Sequence, residues 1–351
     1  MVRERGLEPP PLAGPDPKSG VSAISPLAQR FHQDAIRKTD AQAGFGLPRR
    51  AFVHAILVMN KASQNPRKVT LRRGRPEDAA VCGTICYQAF KTISEAHNFP
   101  PDIPSAEMAA GFLSHLLSNP AAYSVVAEVD GRVVGSNFLW EFQPIAGIGP
   151  ITVDPEVQDG SVGRRLMEDA LARCKTQHFV GVRLVQAAFH NRSLSLYTKL
   201  GFNVCEPLAV LQGPALGLKI AGCDVRPATE ADLAACNRVC FKVHGHDRGM
   251  ELLDAIKKNT ATVVECAGRI TGYATVVGFF GHTVGETNED VQALIGAAKE
   301  FAGPGILLPT RNGELFRWCL RAGLRVTQPM TLMSVGLYND PAGAFLPSIL
   351  Y

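Results

Sequence analysis

The chain has 351 residues, 46% of them hydrophobic and 19% charged, with a formal net charge of +4. That is a globular composition with room for two domains with their own cores, and it excludes fibrous and low-complexity classes. The charge is uneven: the first 68 residues hold 11 Lys/Arg against 5 Asp/Glu, and the other 283 hold 25 against 27. No nucleic-acid-binding surface is therefore expected on the folded part. Nine cysteines, an odd number without a Cys-x-x-Cys pair, predict buried thiols, a reducing compartment and a cytoplasmic location.

Residues 1–68 carry five prolines in the first seventeen positions and no sustained periodicity, so this basic tail is expected to be disordered. Its apolar run Ala51 to Met59 is too short for a membrane span, which needs about 20 residues, and no membrane partner is expected. We expect translation to begin at Met59 as the alternative to Met1. From Val69 the pattern becomes regular. Val69 to Arg72 reads as a strand, and Arg75-Pro-Glu-Asp opens a helix with Val81, Cys82, Ile85, Cys86 and Phe90 on its apolar side. A Pro-rich connection through His97, Asn98 and Phe99 leads to a second helix ending at Leu117. Two alternating runs, Tyr123 to Val129 and Arg132 to Phe142, flank Asp130-Gly131, a strong hairpin signal.

The next stretch organises the rest. Ile151, Thr152 and Val153 form a short apolar strand, followed by Asp154-Pro155 and a loop of small residues, Asp159, Gly160 and Ser161. A helix then starts, with Val162, Leu166 and Ala170 on one face. Such a loop aims unpaired N–H groups and the positive end of a helix dipole at one point, which makes an anion site. It is neither a Walker loop nor a Gly-x-Gly-x-x-Gly turn. The order strand, Val-x-Pro, Gln158-x-x-Ser161-x-Gly163, helix resembles the coenzyme A pyrophosphate loop of the GNAT N-acetyltransferases, with Ser161 where that family has its middle glycine.

A second motif, HNRSLSLYTKLGFNV from His190 to Val204, resembles the family's other hallmark: a polar residue opens a short helix, a tyrosine sits on it, and Gly-Phe starts the next strand. His190 takes the place of the family's usual asparagine, and Asn191 comes one residue later.

The resemblance implies two mixed α/β (α+β) sheets flanked by helices. Acetyl-CoA is the implied co-substrate, with no metal. It would be held by Gln158, Asp159, Gly160, Ser161, Val162, Gly163 and Arg164. The backbone of Ile151, Thr152 and Val153 would pair with the pantetheine arm, and Asn191 and Ser193 of the following helix are also implied in binding the coenzyme. Tyr197 falls on the general acid, or else is a packed core residue. His97 and Phe99 are implied at the acceptor pocket, although a loop histidine satisfied by water is an equal reading of His97. Glu141 is the best-placed carboxylate for a general base, its other reading being a solvated strand end.

After Gly213-Pro214 the sequence starts again. Arg72, Asp78, Cys82, Cys86 and Tyr87 match Arg226, Asp232, Cys236, Cys240 and Phe241 at an offset of 154. Gly131-Arg132 and Gly135 match Gly268-Arg269 and Gly272 at 137, and Leu200-Gly201-Phe202 matches Ala322-Gly323-Leu324 at 122. A tandem copy with shorter connections is expected: a catalytic domain over 69–213, a linker over 214–222 and a degenerate domain over 223–351. In the second copy, Glu286 to Val291 replaces Gln158 to Gly163 without glycine and with three carboxylates, and Cys319 replaces Tyr197. That half is expected not to bind coenzyme A and to be structural or to shape the substrate site. Cys240, His244 and His246 are read as structural rather than as metal ligands.

The expected activity is transfer of an acetyl group from acetyl-CoA to a primary amine, on a small molecule or a peptide, by direct attack in a ternary complex. The alternative is a non-catalytic acyl-CoA-binding or partner-binding module.

Overall fold

The computed structural model describes residues 68–158 and 161–350. The basic tail and the Met59 start therefore lie outside the described residues. Residues 66–351 form one compact unit.

The chain begins with strand β1 (Val69–Arg73), helices α1 (Ala79–Ala96) and α2 (Ala106–Ser118), and strands β2 (Ala122–Val129), β3 (Arg132–Trp140), β4 (Ile145–Ile148) and β5 (Thr152–Val153). Helix α3 (Val162–Thr176), β6 (Gly181–Ala187), α4 (Asn191–Lys199) and β7 (Asn203–Gln212) complete the first half. The same order, with one strand in place of β4 and β5, then recurs in β8 (Cys223–Pro227), α5 (Leu233–His244), α6 (Gly249–Lys257), β9 (Thr262–Cys266), β10 (Arg269–Ala274), β11 (Thr283–Gly285), α7 (Asn288–Ala297), β12 (Ile306–Pro309), α8 (Gly313–Arg321) and β13 (Arg325–Gly336). A last strand, β14 (Ala344–Leu346), has no counterpart in the first half.

Local chemistry explains much of this. Asp130 and Gly131 take φ of 52° and 76°, the left-handed pair of a tight hairpin turn, and Ala267 and Gly268 repeat it at 52° and 74°. At the start of each half an arginine on the first strand binds the aspartate that opens the first helix. Arg72 donates to both oxygens of Asp78 (2.7 and 2.9 Å) and to Glu128 (2.7 Å). Arg226 does the same to Asp232 (2.8 Å twice) and to Glu265. Two-pronged guanidinium–carboxylate bonds fix strand and helix together in both halves.

Two sheets result. One runs β1-β2-β3-β4-β6-β13-β7-β12, with β5 also paired to β3; the other runs β14-β11-β10-β9-β8. The last strand of the second half, β13, lies between β6 and β7 of the first, antiparallel to both. In turn β7 lies between β13 and β12. The halves distinguished by sequence therefore exchange their final strands and share one sheet.

One expectation about cysteines changes. Cys223 and Cys266, directly opposed on β8 and β9, are joined in a disulfide. The other seven are free, and all but Cys205 are buried. The two sulfurs meet because the strands place these residues face to face, which spacing along the chain does not reveal. No helix among the described residues is long and apolar enough to cross a membrane.

The shared sheet makes a prediction. Leu332 is 1% exposed in the centre of β13, so Leu332→Ala is expected to cost about 2–5 kcal/mol and to lower the stability of both halves in one denaturant transition. Two separate transitions, with only the second shifted, would contradict the exchanged arrangement.

Candidate active site

Strands β4 and β6 run parallel but pair only over Ile145–Gly147 and Gly181–Arg183. Beyond that point β5 leans back onto Gly135 and Ser136 of β3, while β6 from Leu184 to Ala187 pairs only with β13 on its far side. A wedge opens between the two strands. The short strand was expected over 151–153, and the structure gives it Thr152 and Val153, with Ile151 just before it.

At the mouth of the wedge α3 begins. Its first residue is Val162, and Ser161 precedes it at φ +62°, the left-handed region that glycine enters without cost. The backbone conformation thus accounts for the family's glycine at this position, and serine adopts it here. No side chain caps the first turn of α3, so its N–H groups keep their capacity for an anion. Gln158 donates to the carbonyl of Val153 (3.3 Å) and so braces the loop from behind. Asp159 and Gly160 lie outside the described residues. A β-carbon at Gly163 would sit 3.6 Å from Leu196 and 3.7 Å from Val153, in ordinary contact. A short residue there keeps the helix start open to an approaching ligand.

A groove of about 350 Å³ runs between the start of α3 and α4, lined by Arg164, Asn191, Arg192, Ser195, Leu196 and Lys199. Of these, Arg164 and Asn191 were expected from sequence, and Arg192, Ser195 and Lys199 were not. Their spacing along α4 places them on one helical face, a signal that was present in the chain.

Helix α4 opens as the motif implies, with a substitution. The His190 ring accepts the Ser193 N–H (3.0 Å), the bond an asparagine cap makes. At the corresponding place in the second half, Asn312 caps α8 by accepting from Leu315 N–H (3.2 Å). Asn191 instead is exposed in the groove. Tyr197 is buried and shares a cluster with Ile148 of β4 and Leu184 of β6, the strands on either side of the wedge. Burial pushes its phenol up to about 12, and a hydrogen bond with Ser193 pulls the other way.

The wedge also contains a polar group that sequence reasoning missed. Gln186 is buried, and neither its amide nitrogen nor its amide oxygen has a partner among the described residues. Alternation along β6 puts it on the face of Leu184, towards Tyr197. An orphaned amide here suits a ligand with amides of its own, as a pantetheine arm has. The residues present therefore fit coenzyme A.

On the opposite face, the connection between α1 and α2 folds over the end of β6. Phe99 stacks on Phe189 at 4.4 Å, and the His97 ring lies 5.2 Å from the same phenyl. His97 itself is exposed and bonds the carbonyl of Ile93. Glu141 is placed elsewhere. Both its oxygens accept from Arg173 of α3 (2.7 and 3.1 Å), and Arg173 lies over Tyr123, whose hydroxyl donates to Asp169. This carboxylate ties α3 to the end of β3, away from His97 and Phe99. The carboxylate expected as a base is thus paired with Arg173, which packs α3 against the end of β3.

In the second half the equivalent features are closed. Helix α7 begins with a reciprocal cap: Thr287 accepts from Asp290 N–H, and the Asp290 carboxylate accepts from the backbone and hydroxyl of Thr287 (2.8 and 2.9 Å) and from Thr271. Glu286 is held by Arg269 and Lys242, which bring its carboxyl down to about 2. Aligned on the helix starts, Glu289 stands where Gly163 does, and Val291, expected there, is core. Strand β14 pairs with β11, and Ala344 and Leu346 pack against Ile306 and Leu308 of β12. The wedge of this half is filled by the chain itself. Cys319 is buried core. The His244 and His246 rings stack at 5.8 Å, but their nitrogens point to different partners, His244 to His282 (3.2 Å) and His246 to Arg183 (3.2 Å).

Comparison with known proteins matches these features. Residues 87–202 fit the model of the acetyltransferase (GNAT) family. A putative [ribosomal protein bS18]-alanine N-acetyltransferase of Bacillus subtilis is 31% identical over 90 residues, covering 26% of this chain and 60% of that protein. Among solved structures, a putative acetyltransferase from Pyrococcus horikoshii superposes with a TM-score of 0.59 at 16% identity, over 79% of this chain and 94% of that one. A GCN5-related N-acetyltransferase from Sphaerobacter thermophilus gives 0.52 at 18% identity, over 78% and 96%. These fold matches extend beyond the first half into the second. Residues 87–202 thus carry a match to the GNAT acetyltransferase family, and the chain shares the mixed α/β fold of these solved structures.

Proposed function

We propose that the first half transfers an acetyl group from acetyl-CoA to a primary amine. The observation that carries this is the wedge between β4 and β6, which leads from buried Tyr197 to an uncapped helix start beside a basic groove. A long ligand with amides at one end and phosphates at the other suits that sequence of environments. The first-turn amides of α3 and the side chains of Arg164, Arg192 and Lys199 would hold its phosphates, and Gln186 with the free edge of β6 would hold its arm.

The thioester supplies the acetyl electrophile. A backbone N–H aimed at the carbonyl oxygen as charge develops there contributes on the order of 3 kcal/mol. Tyr197 serves as donor to the departing sulfur. Burial, which pushes its phenol up to about 12, keeps it protonated across the neutral range and so able to donate. Tyr197 protonates the departing thiolate, and the attacking amine loses its protons to water, from which the phenol is reprotonated, because a protonated amine has no lone pair with which to attack. The name of the Bacillus subtilis relative puts a peptide N-terminus among the acceptors to be tried, beside small amines. The second half, its wedge filled by β14 and its helix start capped by Asp290, takes no coenzyme.

Tyr197→Phe is expected to lower kcat by about 10²-fold while changing the acetyl-CoA Kd less than about twofold. An unchanged rate would remove Tyr197 from the mechanism, whereas tight acetyl-CoA binding by wild type without turnover on any amine would favour an acyl-CoA-binding module. Since the raised pKa keeps the phenol protonated, wild-type kcat is expected to show no falling limb below about pH 10 that disappears in Tyr197→Phe. Gly163→Glu places a carboxylate at the phosphate site and is expected to weaken acetyl-CoA binding at least tenfold, about 1.4 kcal/mol. Calorimetric titration reads this directly, and an unaltered Kd would move the phosphate site away from α3.

A further inference from the structure

We propose that Asp102 of the first half and Gln328 of the second together bind the ammonium group of the acceptor. The inference rests on the acetyltransferase reading and names the chemistry its acceptor must present.

Three segments meet at this place. Asp102 lies in the α1–α2 connection, three residues beyond Phe99, whose ring stacks on Phe189 just past the end of β6. Gln328 lies on β13 at an irregularity in its pairing with β7. The next residue, Pro329, accepts the Ala188 N–H through its carbonyl (3.1 Å), which pins Gln328 beside the end of β6. The Gln328 amide nitrogen then donates to Asp102 Oδ1 at 2.8 Å. The pair thus sits on the acceptor side of the wedge, on the face away from Tyr197.

Its chemistry is one-sided. Gln328 is 4% exposed, and its amide oxygen has no hydrogen-bond partner among the described residues. Among the described residues the Asp102 carboxylate accepts one hydrogen bond, from Gln328, and burial pushes its carboxyl up. An amide oxygen and a desolvated carboxylate, bridged by the amide nitrogen, offer only acceptors to anything that enters. A buried acceptor without a donor is costly, and a half-buried carboxylate beside it gains from a cationic partner. A primary ammonium brings three N–H donors and a positive charge, and it satisfies both groups at once. An alcohol offers one donor and no charge, and an anion is repelled. The site therefore selects a cationic amine, and the second half takes part in recognition because β13 carries Gln328 across the shared sheet.

The test uses the full-length protein and phenethylamine, its aromatic ring suited to the Phe99–Phe189 pair, beside the uncharged isostere 2-phenylethanol. Binding is followed by ligand-detected NMR titration in the presence of coenzyme A. Wild type is expected to bind the amine at least tenfold more tightly than the alcohol. Asp102→Asn and Gln328→Met, which keep size and fold, are each expected to reduce that preference at least fivefold. The acetyl-CoA Kd is expected to stay unchanged. Equal binding of amine and alcohol by wild type, or a preference that survives Asp102→Asn, overturns the proposal. Because the readout is binding, an absence of turnover would count against the acetyltransferase reading alone.

Discussion

The exchange of final strands is the constraint on which the molecule depends. With β13 hydrogen-bonded along one edge of β6, that strand is held straight while β5 leans away onto β3. The wedge between them is therefore framed by both halves of the chain. A strand whose residues lie 143 or more positions beyond their partners on β6 borders the cleft that the first half's motifs define. The same strand carries Gln328 to Asp102 in the α1–α2 connection. The arrangement is nearly symmetric: β6, β13, β7 and β12 alternate between halves, with each half contributing two strands.

Against that near symmetry, the chemistry is asymmetric. Both halves keep the arginine–aspartate–glutamate cluster at the first helix and the left-handed hairpin turn, features that fold the chain. Only the first keeps an open helix start. At α3 no side chain caps the amides, while at α7 the buried Asp290 carboxylate already occupies them. An internal carboxylate stabilises a helix start as an external phosphate does, by charge–dipole attraction and hydrogen bonding. The second half therefore has its anion built in. Strand β14 completes the closure, and its apolar side chains fill the wedge that Gln186 leaves polar in the first half.

Much of this was legible along the chain because the relevant signals are local. Asp130-Gly131 at positive φ, the apolar spacing from Val162, and Gly201 at φ +95° all act within a few residues. The repeat was legible because both halves keep the residues of the shared clusters. The partners of Glu141 and Asp102 were not legible, because Arg173 and Gln328 come from distant segments with no periodic relation to them. Glu141 ends an alternating strand whether a guanidinium or solvent faces it, so its ion pair leaves no mark in the pattern. The disulfide and the strand exchange were hidden for the same reason: register between strands far apart in sequence is set by packing. The basic face of α4 was legible in principle, but the tyrosine on the adjacent face carried the reading instead.

The central claim is that a chain with two GNAT-like halves holds one coenzyme site, in the first. Its most direct measurement is the stoichiometry of acetyl-CoA binding to the full-length protein by isothermal titration calorimetry. The account predicts one acetyl-CoA per chain. Two per chain, or none, would contradict it.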